Sequence, residues 1–554
     1  MVKSKSKKKK KKGKQKPEEP ALSRKEQAIL KRKRKAAIQK FTKTIGICVL
    51  CAVALGVPLY FTAEPKIAIA VGGGLPVFYL CYQYPRPALW FFLIYMPFSG
   101  TVVYWIAGGN ALFQLAKDAF YIPAVLALAL RCKKQHKPIL IPKEAVPTFS
   151  LLLISALMTL FVVNGLMQVS PDKDGIPFAQ GILGLKVLVG YVPLIFCAYY
   201  LIETKRELLW VTRLHTVLAI ICCVLCLMQY QMLKSGTCTG TEGLGVEGDE
   251  LFKASLDAKC LVGGALTYTP SQNQIRLPGT FVSPWHWGWF LIANSALTFA
   301  SAFCDPSLLW RFVGMGGMGL VFICSVISGQ RIATLLVPVI ILILLVLTGQ
   351  VANLKRFLPI GVGLGLALTI AAASNPQVIQ ERIESTQSRL RASPPQAFIE
   401  EQFHWSIAQQ KGIFGRGLGK ATNSTRIFGK AVLVETYHPK LLYEMGWPGL
   451  FAFLIFTTHL TRITFVNYRR AKDKSLRSFG SSFWVFILII SFFPYWYPLD
   501  TDPVCVYYWF LIGILMKLPE IDKEEQKKLK EAGEIEAEAI EAVEARSRDR
   551  LPVA

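Results

Sequence analysis

Three polar segments interrupt an otherwise apolar chain, and they hold the residues best suited to chemistry. They are Arg276-Leu-Pro-Gly-Thr-Phe-Val-Ser-Pro284, Ser328-Gly-Gln-Arg-Ile-Ala-Thr-Leu335 and Tyr437-His-Pro-Lys-Leu-Leu-Tyr-Glu-Met-Gly-Trp-Pro-Gly449. Each stands where a long apolar run begins. Arg276 and Arg331 carry guanidinium groups that can bind phosphate, and His438 carries an imidazole that can accept a proton.

The two arginines predict an anion site at the level of the lipid headgroups. An arginine at the end of a membrane span is often only an anchor whose charge reaches the surface, and that interpretation stays open for each residue alone. Arg276 and Arg331, however, both precede helices, whose amino ends attract anions. A guanidinium binds phosphate oxygens through two parallel hydrogen bonds, so the pair suits a diphosphate. No acidic cluster accompanies them, so neither a metal ion nor another cofactor is predicted.

His438 is a candidate general base, although a lone histidine at a helix start more often only caps the helix. The positive end of its helix, Lys440 and the arginines should disfavour a second positive charge. The imidazole should therefore be neutral and able to take a proton from a hydroxyl group. Pro439 is predicted to be the first residue of that helix.

Other polar features give weaker signals. Asp500 and Asp502 lie close together and could hold a divalent ion, but paired carboxylates are common in turns, so no metal site is predicted. Lys117 and Asp118, inside an apolar run, are predicted to pair with one another or with a neighbouring helix. The glycine-rich segment 412–419 is predicted to end a helix rather than to cradle a phosphate.

The elements that must position these residues are membrane helices. Of the 554 residues, 52% are hydrophobic and only 18% are charged, and mean hydropathy is +0.38. Apolar runs of about 20 residues, the length that crosses a bilayer, recur along the chain. An all-α, polytopic membrane protein with about fourteen transmembrane helices is predicted. The predicted spans are 41–61, 67–82, 87–107, 112–130, 146–164, 180–202, 208–233, 281–303, 308–327, 332–349, 357–374, 441–466, 479–497 and 504–517.

Loop charges predict the topology. If the amino terminus is cytoplasmic, the short outer loops hold only Lys66, Lys173 and Arg331, whereas the short inner loops are rich in basic residues. This is the bias of the positive-inside rule, and it places both termini in the cytoplasm. The inner basic residues are Arg86, Arg131, Lys133, Lys134, Lys137, Lys143, Lys205, Arg206, Arg311, Lys355, Arg356, Arg469, Arg470, Lys472, Lys474 and Arg477.

Two long loops, 234–280 and 375–440, then lie outside. The second is predicted to contain short helices around 378–391 and 397–411. Cys238 and Cys260 are the two cysteines of the outer loops, and that compartment is oxidising, so a disulfide is predicted. Two free thiols remain an open alternative, because sequence fixes no distance between them.

The net charge of +27 is concentrated near the amino terminus. Residues 1–40 are predicted to be a disordered cytoplasmic tail that interacts with anionic lipid, and not with nucleic acid, because a span follows directly. Residues 41–518 form the predicted membrane domain. Residues 519–554 form a second charged cytoplasmic tail, predicted to be a solvated helix or disordered.

Together the motifs resemble those of the O-antigen ligase and Wzy-type polymerase superfamily. The Arg276 segment is similar to its R-x-x-G-T-F-x-x-P element, and the Arg331 segment to its S-x-x-R-x-x-x-L element. Residues 405–419 and 438–449 resemble its large outer loop and the helix that follows, except that Pro439 stands where the family commonly has Asn. The resemblance covers 276–456. The lysine-rich arm is also similar to that of cyanobacterial exopolysaccharide-synthesis members.

The resemblance implies a membrane glycosyltransferase that uses a glycan carried on polyprenyl diphosphate. The implied reaction is inverting and independent of metal, and it either polymerises the glycan or ligates it to a glycan or lipid acceptor. It implies that Arg276 and Arg331 hold the diphosphate and that His438 takes the acceptor proton. It further implies an inner (plasma) membrane location with the site on the outer side. The alternative is a transporter of a small anion such as bicarbonate, which should concentrate its ionisable groups near mid-membrane.

Overall fold

The computed structural model describes most of the apolar part of the chain. The described residues are 24–62, 65–108, 116–140, 142–171, 173–241, 258–264, 266–267, 275–350, 394–493 and 498–548, with isolated positions at 113, 380, 384, 387, 391 and 495. Two compact units are present, one formed by 1–76 with 523–554 and the other by 77–522. The candidate site lies in the second unit.

The fold is all-α, as predicted. The helices are α1 (Arg24–Thr62), α2 (Pro65–Gln83), α3 (Pro85–Tyr95), α4 (Asp118–Lys134), α5 (Val146–Met158), α6 (Pro177–Val189), α7 (Leu194–Leu201), α8 (Lys205–Lys234), α9 (Pro284–Cys304), α10 (Leu308–Ile327), α11 (Arg331–Leu347), α12 (Pro395–Ala408), α13 (Tyr437–Arg470), α14 (Lys474–Phe492) and α15 (Val504–Arg548). Short 3-10 or π turns extend α3 to Ile106, and together with the five-residue helix Gly165–Val169 they extend α5 to Val169.

Ten helices among the described residues are long and apolar enough to cross a membrane, and α11 is a shorter apolar helix. These are the helices of a membrane-embedded protein. The predicted number of fourteen is not reached in this set, and the predicted span 357–374 lies outside the described residues. Two boundaries differ from prediction. Helix α4 begins at Asp118, so Lys117 caps a helix and does not lie inside a span. Residues 24–40, predicted to be disordered, are helical and continuous with the first apolar helix.

Helix α9 forms the centre of the second unit. It is buried along nearly its whole length and packs against α8, α10, α11 and α14. Some of its polar side chains bond within the helix: Asn294 donates to the Phe290 carbonyl at 2.9 Å, and Thr298 donates to the Asn294 carbonyl at 2.5 Å. Gly314 of α10 touches the α9 backbone at Ala302 so closely that a Cβ would lie 2.5 Å from its nitrogen. Small residues of this kind let membrane helices approach closely.

Ion pairs close the basic end of the second unit, defined as the end where α4 finishes at Lys134 and α13 at Arg470. Arg213 binds the buried Asp305 carboxylate at 2.7 and 2.9 Å, and Lys205 binds Asp473. Burial by itself raises the pKa of Asp473. The hydrogen bond and charge of Lys205, with the backbone N–H groups at the start of α14, outweigh burial, so the pKa lies below its usual range. The carboxylate is therefore charged and caps α14.

The opposite end, here called the arginine end, is where α9 begins at Pro284 and α11 at Arg331. Two-residue antiparallel pairs occur in its first long loop: β1 (Lys259–Cys260) with β2 (Gly263–Gly264), and β3 (Leu266–Thr267) with β4 (Ile275–Arg276). The predicted disulfide between Cys238 and Cys260 is confirmed, with the two Cα atoms 5.7 Å apart. The Gln229 amide of α8 donates to the Cys260 carbonyl at 3.0 Å and so fixes the loop to the helix.

The glycine-rich segment 412–419 is structural, as predicted. Its N–H groups bond to the protein and do not point at an open cradle: Arg416 donates to the Tyr443 carbonyl, Gly417 to the Glu444 carbonyl and Leu418 to the Asn164 side chain. The segment docks against a kink in α13 at Gly446, which has φ +68°. A Cβ at Gly446 would lie 1.8 Å from the Ile413 carbonyl oxygen. Helix α12 corresponds to the predicted helix 397–411, whereas the predicted helix 378–391 lies almost wholly outside the described residues.

Replacing Gly446 with Ala should destabilise the protein by more than about 2 kcal/mol, because it combines a left-handed backbone with a clash against another backbone. Gly316→Ala in α10 is the control, since a Cβ there meets no atom within 4 Å. Thermal unfolding in detergent should show a clearly lower midpoint for Gly446→Ala and an unchanged or slightly higher one for Gly316→Ala. Equal midpoints for the two variants would contradict the tight packing at Gly446.

Candidate functional site

The structure brings the two arginine segments together. The backbone N–H of Leu277 donates to the Ser328 carbonyl at 3.0 Å, which joins the strand holding Arg276 to the turn before α11. Arg276 also approaches the Gln330 side-chain oxygen at 3.4 Å. Arg331 is the first residue of α11, so it stands at a helix amino end as predicted. The segments that hold Arg276 and Arg331 are therefore neighbours in the fold.

Aromatic and polar side chains complete this region. The Arg276 guanidinium lies over the Trp285 ring at 5.0 Å, and His286 bonds the Ser283 hydroxyl at 2.6 Å. Gly279 has φ +57°, and a Cβ there would lie 2.8 Å from the Trp287 ring. The glycine of this motif thus permits both the turn and the contact with the indole.

Six buried donor groups in or next to these segments have no hydrogen-bond partner among the described residues. They are the side-chain nitrogens of Trp287, Trp289 and Gln330 and the hydroxyls of Thr280, Thr436 and Tyr437. A buried polar group without a partner is destabilising, by about 1–3 kcal/mol. Donors left in this state favour a ligand rich in oxygen acceptors.

His438 lies in the first turn of α13. The helix begins at Tyr437, so the prediction that Pro439 is its first residue is wrong by two positions, although Pro439 stays within the first turn, where no N–H is needed. The partly buried imidazole bonds to the backbone of Ser491, near the end of α14. When one ring nitrogen donates to a carbonyl, the other is left as an acceptor. That tautomer is the one that a general base needs.

No described contact joins His438 directly to Arg276 or Arg331. The connection runs through the end of α14, because Trp289 of α9 packs edge-to-face on Phe493 with ring centroids 6.2 Å apart. The Thr436 backbone, just before α13, also pairs with Tyr495 in an isolated bridge. Trp289 near the start of α9 and the Thr436 backbone near His438 therefore both contact the chain where α14 ends.

Asp500 and Asp502 form two ion pairs, one at each side of this region. Asp500 pairs with Lys440, two residues beyond His438, and both side chains are almost completely buried. Asp502 pairs with Lys117, which is within electrostatic reach of His286. The carboxylates are thus held apart on different lysines. Among the described residues no group of three or more His, Cys, Asp or Glu side chains could hold a metal ion.

A further pair joins Asp118 to Lys186 of α6 at 2.8 Å. The Tyr191 hydroxyl donates to the other Asp118 oxygen at 3.3 Å. The prediction that Lys117 and Asp118 pair with one another or with a neighbouring helix is confirmed for Asp118, whose partner is on α6. Lys117 instead pairs with Asp502, in the turn before α15. Lys186 and His286 were not identified from the sequence, although an ionisable residue inside an apolar run is itself a signal of a buried polar network.

Asp118, His286 and Arg331 lie in the first turn of their own helices, roughly 24–27 Å from the far ends at a rise of 1.5 Å per residue. Lys186, the partner of Asp118, instead lies nine residues inside the apolar helical stretch Pro177–Leu201. Compared with known proteins, the sequence matches no family model and no curated protein.

Asp500→Asn should destabilise the protein by about 3–5 kcal/mol, since it leaves the Lys440 ammonium buried without its counter-charge. Changing both partners to apolar residues, Lys440→Met with Asp500→Leu, should restore most of the loss. Thermal unfolding in detergent measures both. A magnesium-site interpretation makes the opposite forecast: stability would depend on added Mg²⁺ or chelator in the unmodified chain, and the double variant would not recover.

Proposed function

We propose that the protein is a membrane glycosyltransferase that uses a glycan carried on polyprenyl diphosphate. It polymerises the glycan or ligates it to a glycan or lipid acceptor, for an exopolysaccharide or an O-antigen-like polymer. The observation that supports this proposal is the meeting of the Arg276 and Arg331 segments at one helix amino end, beside donors without partners. The superfamily resemblance of the same motifs points in the same direction.

In the proposed reaction the acceptor hydroxyl attacks the anomeric carbon from the face opposite the diphosphate. The new carbon–oxygen bond forms as the bond to the diphosphate breaks, which inverts the configuration. The hydroxyl proton passes to the free ring nitrogen of His438. Arg276 and Arg331 stabilise the charge that builds on the departing diphosphate, so no metal ion is required. The catalytic residue is thus His438 and the diphosphate-binding residues are Arg276 and Arg331.

The proposed site faces the outer side of the inner (plasma) membrane, and both termini are cytoplasmic. The partners are the lipid-linked donor, the acceptor and the bilayer, with no nucleic acid. The second candidate function, transport of a small anion, remains the alternative. The placement of Arg331 and His438 in first helical turns, with Arg276 joined to the turn before Arg331, favours chemistry on a lipid headgroup. The ion pair between Lys186 and Asp118, inside an apolar helical stretch, is the feature that the transport alternative would use.

Substitutions at the three site residues should separate their roles in a purified, reconstituted assay with a lipid-linked donor. Arg276→Ala and Arg331→Ala should weaken donor binding and slow turnover by roughly a hundred-fold, because charge on the leaving group loses a stabilising contact. Arg331→Lys should be impaired as well, since it loses the planar fork. His438→Ala should bind donor almost normally and turn over about a hundred to ten thousand times more slowly.

His136→Ala is the matched control, because His136 is exposed in the loop after α4 at the basic end. It should retain wild-type rates. Circular dichroism and gel filtration should confirm that each variant folds. If His438→Ala protein turned over donor at the wild-type rate, the histidine would only cap its helix, and the transporter alternative would gain support.

The proposed topology has its own test. A cysteine introduced at the exposed Ser424 should react with a membrane-impermeant thiol reagent in intact cells. One introduced at the exposed Lys472 should react only after the membrane is opened. The unmodified chain gives the background from native cysteines. Labelling of the Lys472 position in intact cells would invert the topology and place the candidate site inside.

A further inference from the structure

A cavity at the basic end is separate from the candidate site. Its volume is about 650 Å³, and it is lined by the loop before α5, by α7, by the second half of α13 and by α15. Lys143, Arg462 and Arg470 are cationic lining residues, against the single acid Glu144. Leu140, Ile463 and Met516 contribute apolar walls. The cavity therefore combines an excess of two positive charges with a hydrophobic surface.

The position of Arg462 is the unusual feature. It lies eight residues before the end of α13 at Arg470, which corresponds to roughly 12 Å of helix. The Arg462 side chain is exposed. Phe451 and Ile455, earlier in the same helix, also expose their side chains, and these are apolar. A guanidinium at this depth is destabilising unless it reaches water or meets an anion.

Glu144 is the one acidic residue in this cavity, and no ion pair among the described residues joins it to the cations there. No ion pair among the described residues involves Arg462, Arg470 or Lys143. Arg213 and Lys205, at the same end of the unit, do bind aspartates. Asn467 lies on the cavity wall between the two arginines of α13, five residues after Arg462 and one turn before Arg470. The cavity thus offers guanidinium and amide donors on one face and hydrocarbon on the other.

We propose that this cavity binds the headgroup of an anionic phospholipid. The phosphate oxygens meet Arg462, Arg470 and Lys143, and the acyl chains follow Ile463 and Met516 toward the membrane interior. A basic recess between helices on the positively charged side of a membrane protein has the chemistry that anionic headgroups require. A free phosphate would satisfy the charges but not the apolar walls. The bound lipid would stabilise the packing of α13 against α5 and α15 without taking part in glycosyl transfer.

Native mass spectrometry of the full chain in detergent tests this proposal, with phosphatidylglycerol, phosphatidylcholine and inorganic phosphate as probes. Phosphatidylglycerol should remain bound and phosphatidylcholine should not. Arg462→Gln should weaken phosphatidylglycerol binding by at least about tenfold, since one charge-assisted contact is lost. Arg462→Lys should retain part of the affinity. Phosphatidylglycerol should also raise the unfolding temperature of the wild-type chain and not that of Arg462→Gln.

Arg469→Gln is the matched control. Arg469 is the neighbour of Arg470 in sequence, but it lies over the Phe465 ring and does not line the cavity. Its variant should bind phosphatidylglycerol normally. Equal losses for Arg469→Gln and Arg462→Gln would mean general electrostatic attraction, which overturns the proposal. Inorganic phosphate that competes for the site as strongly as the lipid would identify a soluble anion as the ligand and also overturn it.

Discussion

The arginine end depends on pairing buried charges across distant parts of the chain. An ammonium or carboxylate removed from water is strongly destabilising unless an opposite charge meets it. Asp500 and Asp502 each meet a lysine from a different segment, Lys440 beside His438 and Lys117 beside the arginine motifs. Asp500 and Asp502, the two aspartates before Pro503, therefore fix the spacing between the two halves of the candidate site. Neither half can shift without leaving a buried charge unpaired.

Close backbone contacts provide the second constraint. The kink at Gly446 lets the segment 412–419 pack directly on α13, and the Asn164 side chain holds Leu418 through both its donor and its acceptor. These contacts bring the second long loop down onto the first turns of α13. His438 is consequently held between a fixed loop and the end of α14, so its ring direction is set by packing as well as by its bond to Ser491.

Local patterns in the sequence predicted several of these features. Apolar runs predicted the helices, glycines at 412–419 predicted a structural turn, and the compartment argument predicted the Cys238–Cys260 bridge. Partners far apart in the chain were not predictable, because periodicity carries no information on which helix faces which. In the sequence, Asp500 and Asp502 therefore gave a weak signal of a metal site, because their lysine partners lie in other parts of the chain. The role of Lys186 was not predicted, because a single charge in an apolar run does not identify its partner.

The pairing also decides which cations can serve a substrate. Lys117, Lys186 and Lys440 are each bound to a carboxylate, and a lysine that stabilises the fold in this way cannot leave its partner for a diphosphate without leaving that carboxylate buried and unpaired. The lysines thus carry the structural charge, and the planar guanidinium groups of Arg276 and Arg331 are the better match for phosphate oxygens. The buried donors of Gln330, Trp289 and Tyr437, which have no partner among the described residues, also favour a ligand that accepts hydrogen bonds. In the proposed function, an anionic, oxygen-rich headgroup would meet both preferences.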